Sequence, residues 1–243
     1  LVSRHFRVKA GEGLRSSNAL LTAANLLECV DWTASDELAP PIEPVQALRH
    51  LPAALDEMTK DATAEEQDVM RSVIGLAPWQ TFYEDCAWSR PFINEIACAS
   101  LVGPSGIVRS NDVALGLFLF GPQATYREHA HSLDEIYYVF AGDADWGFDK
   151  KDNRQVLGPG SVVHTAADQR HDLRTRATPI LCAYTWTNDP AAPTYYRSDG
   201  PWRGGESIKP PLAVPGLPLI HIQRCRRNTQ GKYRWPAEST KNK

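Results

Sequence analysis

The sequence has no apolar run long enough to cross a membrane as a helix: its longest, from Val113 to Gly121, is cut off by Pro122, far short of the roughly 20 residues a span needs. It has no excess of charge of one sign. Its 26 Lys and Arg face 29 Asp and Glu, a net charge of −3, so the chain as a whole carries no electrostatic footprint for nucleic acid or an acidic membrane surface. It has no CxxC pair. The five cysteines (Cys29, Cys86, Cys98, Cys182 and Cys225) are scattered and odd in number, which argues against a zinc ribbon or a disulfide framework and for reduced, mostly structural thiols in a cytoplasmic protein. Internal repeats and low-complexity tracts are missing too. With 42% apolar and 23% charged residues, the chain belongs among ordinary globular proteins rather than disordered segments or coiled-coil rods.

What is abundant is proline, at 18 residues, and tryptophan, at 7. At about 150 residues per domain, the length falls between one domain and two. Residues 14–32 place Leu14, Leu20, Leu21, Ala24, Leu27 and Val30 near helical spacing, which predicts an amphipathic helix closed by Pro40-Pro41. A second helical stretch is expected over about 44–60. A third is expected over about 63–74, opened by a Thr63-x-x-Glu66 capping box. After Pro91 the texture changes to short runs rich in β-branched and aromatic residues, at 95–102, 111–120, 125–131, 135–141, 154–157, 161–164, 171–176 and 180–187. Eight closely spaced strands predict an antiparallel sandwich or barrel. Seven prolines and four glycines between Pro190 and Pro218 preclude helix and central strand there and predict an extended arm over the barrel. The expected organisation is therefore a helical extension at 1–90, a β-barrel at 91–190, and a proline-rich arm with a basic tail at 191–243. Residues 221–243 hold seven Lys or Arg and one acid, read as a solvated face that includes Arg224, Arg226 and Arg227. Trp202 and Trp235 are expected to pin the arm.

One window carries chemistry. His129 and His131 are separated by one residue, and side chains two apart on a strand point the same way. Glu135 and Tyr137 share that parity. If the register continues past Ser132, all four face one interior, an arrangement suited to a divalent metal with imidazole and carboxylate ligands. A third histidine would complete the set. His171 is the candidate, downstream of a Gly158-Pro-Gly160 turn, with His164 as its rival.

These two windows resemble the two signature motifs of the cupin superfamily. His129, His131, Glu135 and Gly142 fit the first without a gap. Gly160 and His171 fit the second in spacing, although Ala166, Asp168 and Thr175 stand where the family has Pro, Gly and Asn. Within the cupins, Tyr126 upstream of HxH, then Glu135-x-Tyr137, Gly142 and Trp146, look like the cupin dimethylsulfoniopropionate (DMSP) lyases, which release dimethyl sulfide and acrylate. The resemblance implies a mainly β, double-stranded β-helix barrel behind a helical N-terminal extension. It implies metal ligands at His131, Glu135 and His171, with His129 contributing and Tyr137 close to or on the metal. Tyr137, or alternatively Tyr126, would serve as base. The implied cofactor is one divalent ion: zinc, iron or manganese.

The chemistry of such an elimination can be set out independently. The proton to be removed lies next to a carboxylate and is weakly acidic, so a Lewis acid on that carboxylate would stabilise the developing charge. A phenol near a metal would lose its proton more easily than its ordinary value of about 10 allows. Dimethyl sulfide leaves neutral and needs no general acid, whereas its cationic precursor needs an aromatic wall, at roughly 0.5–2 kcal/mol per contact. Trp146 and Trp186 are the candidates, with Tyr138 and Tyr184 if the register differs. Tyr126 has the opposite parity to His129, so it reaches the pocket only through a bulge or turn. The expected ligand is a small zwitterionic substrate, with no nucleic-acid or membrane partner, and a homodimer stays open. Two other readings use the same residues: an iron dioxygenase, and a metal-dependent binding or regulatory cupin without turnover.

Overall fold

The computed structural model describes residues 1–34, 45–58, 62–83, 85–192, 194–196 and 206–208. The basic tail, Trp202, Trp235 and most of the proline-rich segment lie outside the described residues. The described helices are α1 (Val2–Gly11), α2 (Ser17–Glu28), a 3-10 turn (Gln46–His50), α3 (Leu51–Met58) and α4 (Ala64–Leu76). The expected helix at 14–32 is thus shorter, and α1 precedes it unforeseen: only Phe6 and Ala10 of its ten residues are buried, too sparse a stripe to register as periodicity. The capping box is present as predicted. Thr63 Oγ1 accepts from Glu66 N, and Glu66 Oε2 accepts from Thr63 N, satisfying two otherwise orphaned donors at the start of α4.

Among the described residues thirteen strands follow in chain order: β1 (Trp79–Gln80), β2 (Ile96–Gly103), β3 (Val108–Arg109), β4 (Val113–Phe120), β5 (Thr125–His131), β6 (Asp134–Ala141), β7 (Ala144–Phe148), β8 (Lys150–Leu157), β9 (Val162–Thr165), β10 (His171–Thr175), β11 (Ile180–Thr187), β12 (Thr194–Tyr196) and β13 (Glu206–Ile208). Among the described residues they form two sheets rather than one hydrogen-bonded cylinder. One runs β1-β2-β4-β11-β6-β9 with β3 on β2, and the other runs β13-β12-β5-β10-β7-β8. This is the two-sheet form of the cupin fold. The strand at β7 was not anticipated, because Asp143, Asp145 and Gly147 give it the look of a turn. All three residues of β12 and all of β13 belong to the proline-rich segment expected to exclude a central strand, yet β12 pairs with both β5 and β13, because no proline falls within 194–196.

The first sheet is covered on both faces, and this explains its sequence. Its inner face meets the second sheet through Cys98, Phe118, Tyr137, Val139, Cys182 and Tyr184 against Tyr126, Trp146 and Leu173. Its outer face is covered by α1 and α2 at one end, through Phe6, Leu20 and Leu27, and by the 3-10 turn, α3 and α4 at the other, through Ala54, Met58 and Met70. Complete burial of a side chain such as Phe6 contributes about 1.5–3 kcal/mol. Strand β4 lies centrally and is buried at every position, so the longest apolar run in the chain is a doubly covered strand. The second sheet has polar residues on its outer side, where Arg154 pairs with both Asp145 and Asp172.

Candidate metal centre

The centre lies between the two sheets. Strands β5 and β6, joined by the short turn at Ser132-Leu133, bring His129, His131 and Glu135 inward, and β10 pairs with β5 so that His171 stands opposite His129. The ligand atoms of these four residues all lie within 4.8 Å of one another, and all four side chains are buried. The turn before β10 is held against the first half of the site: Asp168 N donates to His131 O at 2.7 Å. Asp168 adopts φ 63°, a left-handed conformation that Asp tolerates better than most residues. An aspartate at a place where the cupin motif has glycine therefore keeps the turn. Gly142, the glycine of the first motif, has φ 71°, and a Cβ there would stand 2.0 Å from Pro179 O.

All three imidazoles are oriented by main-chain carbonyls. His129 Nδ1 lies 2.9 Å from Arg127 O, His131 Nδ1 lies 3.2 Å from Leu133 O, and His171 Nδ1 lies 3.0 Å from Gln169 O. A carbonyl accepts only, so each Nδ1 carries the proton and each Nε2 is free to present a lone pair to the centre. His131 Nε2 and His171 Nε2 sit 3.0 and 3.1 Å from Glu135 Oε2. His171 Nε2 is buried, and although it is close to Glu135 Oε2 the angle there is too poor for a hydrogen bond. The other carboxylate oxygen, Oε1, accepts from Trp186 Nε1 at 2.7 Å.

Electrostatics follow the same pattern. Burial would push the Glu135 carboxyl up, but His131 and His171 outweigh it and hold it well below the usual carboxylate range. Burial would lower His131, yet Glu135 raises it overall. Burial lowers His129 well below its ordinary value, and its two imidazole neighbours lower it further. An ionised carboxylate among imidazoles whose Nε2 atoms converge is the donor set of a divalent cation, and imidazole with carboxylate suits zinc, iron or manganese. These residues fit one metal ion. His164 does not join them: its Nε2 is 3.7 Å from Asp134 Oδ1, and it falls outside the cluster.

The cavity beside the centre is lined by Phe82, Cys98, Phe118, Tyr126, His129, His131, Glu135, Tyr137, Tyr184, Trp186 and Thr194. Its free volume of about 10 Å³ holds one water or ion. Tyr126 reaches it through a bulge. On β10, His171 and Leu173 are two apart, whereas their partners on β5, His129 and Tyr126, are three apart, so the extra residue restores the parity of Tyr126. Its ring lies 4.3 Å from that of His129. Trp186 lines the cavity. Trp146 does not: it pairs with Leu173, one inward step beyond the Phe148–His171 pair, and is fully buried with its ring 5.1 Å from Tyr137. Tyr184 faces the cavity, while Tyr138 faces outward and stacks on His5 at 4.3 Å. Burial pushes the phenols of Tyr137 and Tyr126 well above their ordinary value, and Glu135 adds to the shift in both.

Sequence reasoning missed Tyr83, Phe82, Cys98, Phe118 and Thr194. Cys98 and Phe118 are on strands buried on both faces, where alternation of polar and apolar residues vanishes. Tyr83, Phe82 and Thr194 lie outside the strands carrying the motifs, and no local pattern marks them.

The chain is similar to known proteins in both sequence and fold. The dimethylsulfoniopropionate lyase family model matches residues 24–182. The dimethylsulfoniopropionate lyase DddQ of Ruegeria pomeroyi is 29% identical over 158 residues, covering 63% of this chain and 77% of its own. A putative dimethylsulfoniopropionate lyase, DddL of Cereibacter sphaeroides, is 30% identical over 176 residues, covering 72% of this chain and 69% of its own. The crystal structure of DddQ from Ruegeria pomeroyi DSS-3 superposes with a TM-score of 0.55 at 21% identity, covering 76% of this chain and 92% of that one, which supports the fold. With the family model matching well over half of its length, the chain belongs to the dimethylsulfoniopropionate lyase family of carbon–sulfur lyases.

Proposed function

We propose that this protein cleaves DMSP to dimethyl sulfide and acrylate by metal-dependent β-elimination, with Tyr137 as base. The observation that carries the reading is that two buried phenols, Tyr137 and Tyr126, line the same small cavity as the His129, His131, Glu135 and His171 donors. A divalent ion on those donors, when bound, supplies positive charge that polarises a substrate carboxylate, offsets Glu135 and favours the phenolate of Tyr137.

The rest is done by the chain. Tyr137 takes the proton from the carbon beside the carboxylate, and the electron pair left there forms the double bond as the carbon–sulfur bond breaks. The sulfonium end faces aromatic rings from Phe82, Phe118, Tyr184 and Trp186, each attractive to a cation. Walls of this kind also exclude water, which strengthens every charge interaction within. The cavity opens to admit the substrate, because its free volume fits only one water or ion. A small zwitterion needs no charged surface elsewhere, and nothing in this reading involves nucleic acid or membrane.

The test is a headspace assay. Protein loaded separately with zinc, iron and manganese, its metal content measured, is incubated with DMSP. Dimethyl sulfide and acrylate in equal amounts are expected, at the same rate with and without oxygen. Absence of both products with all three metals overturns the proposal, and oxygen consumption would favour a dioxygenase instead.

A further inference from the structure

Tyr83 precedes the strands of the motifs, sits in the loop between β1 and β2, and is buried. It packs edge-on against Phe82, Trp88 and Phe92, with ring centroids 4.8, 5.2 and 5.8 Å away. For that packing alone a phenylalanine would serve better, because a hydroxyl taken from water into an aromatic cluster costs free energy unless it is hydrogen-bonded. The hydroxyl of Tyr83 is hydrogen-bonded to the hydroxyl of Tyr126. Tyr83 does not line the cavity, whereas Tyr126 and Thr194 do.

We propose that Tyr83 is a positioning residue for the elimination: its hydroxyl occupies the inner side of the Tyr126 hydroxyl, so that Tyr126 presents its remaining hydrogen-bonding capacity to the substrate in the cavity. A phenol oxygen has one proton and two lone pairs. Either hydroxyl can donate in this pair; in the proposed arrangement Tyr83 donates, so the Tyr126 proton points away from the loop and toward the cavity, where it can donate to the substrate carboxylate as negative charge develops. The bulge in β5 brings Tyr126 inward, and the loop residue Tyr83 sets how its hydroxyl points.

This inference rests on the lyase reading, and the experiment separates the two. Tyr83→Phe, Tyr126→Phe and the double variant are compared with wild type for dimethyl sulfide release, bound metal, acrylate affinity by calorimetry and thermal unfolding. Tyr83→Phe is expected to lower kcat about tenfold with KM and bound metal unchanged, and to add no further loss in the Tyr126→Phe background. Acrylate affinity should stay within about twofold of wild type in all three variants, because the contact strengthens only as charge develops; a tenfold fall would mean a damaged cavity and overturn the positioning role. Full kcat in Tyr83→Phe, or losses that multiply in the double variant, would overturn the positioning role. Should Tyr83→Phe fail to fold, Tyr83→Met also removes the hydroxyl while keeping an apolar side chain; a reduced kcat with unchanged bound metal is then expected, and a full rate would overturn the role. Failure of wild type itself to release dimethyl sulfide would overturn the lyase reading instead.

Discussion

Replacing Trp186 by Phe removes one N–H from the centre and little else. The indole nitrogen donates to Glu135 Oε1 at 2.7 Å, and Glu135 is 2% exposed, so the carboxylate has few other donors on that side. The ring's contacts to Tyr184 at 5.0 Å and Phe82 at 6.0 Å are ones a phenylalanine can partly keep. A hydrogen bond to a charged group contributes about 1.5–3 kcal/mol, and about 1.4 kcal/mol corresponds to a tenfold change in affinity. The loss expected in metal affinity is therefore roughly 10–150-fold, in line with the roughly 10–100-fold seen when a partner of a metal ligand is removed. Trp186 is only partly buried, so water replacing the N–H recovers some of this, and the lower half of the range, about 10–30-fold, is the prediction. A chelator-competition titration with zinc or manganese measures it, alongside circular dichroism to show that the fold persists. Affinity within about twofold of wild type would refute the reasoning, because Glu135 would then not depend on the indole for its orientation.

Three other outcomes follow from the geometry. His171→Ala is expected to leave less than about a tenth of the bound metal by elemental analysis, while His164→Ala retains it; the reverse result would exchange their roles. Tyr137→Phe should lower kcat by about 10²–10⁴ with metal content unchanged, as removal of a general base does; a loss under tenfold would move the base to another residue. Gly142→Ala should destabilise the protein by more than about 2 kcal/mol, since the residue has φ 71° and its Cβ would meet Pro179 O at 2.0 Å. A thermal midpoint lowered by several degrees checks this, and an unchanged midpoint would show that the 142–143 turn can rearrange.

Much of the centre was legible locally because its ligands are close in sequence. His129 and His131 share a strand face by simple alternation, Glu135 and Tyr137 continue that face after a short turn, and the glycines mark turns on either side. Alternation failed where local order departs from it. Parity put Tyr126 on the wrong face because a bulge is set by how β5 pairs with β10, not by residues 126–129 themselves. It gave Trp146 no depth, and depth separates a cavity wall from the packing beneath it. The aspartate at position 168 looked like a departure from the cupin motif, yet its positive φ reproduces the turn.

The sequence by itself determined the chemistry available: which potential ligand types exist, at what spacing, and that a β-rich fold would present them. It did so because strand alternation and turn chemistry are local properties. Only the tertiary structure decided which histidine from a distant strand completes the set, that all three imidazoles are oriented by carbonyls, that Trp186 holds Glu135, and that Tyr83 backs Tyr126. The carbonyls stand only two residues from their imidazoles but need the strands to be folded to reach them; the other contacts join residues tens of positions apart, and they exist only because the two sheets pack face to face.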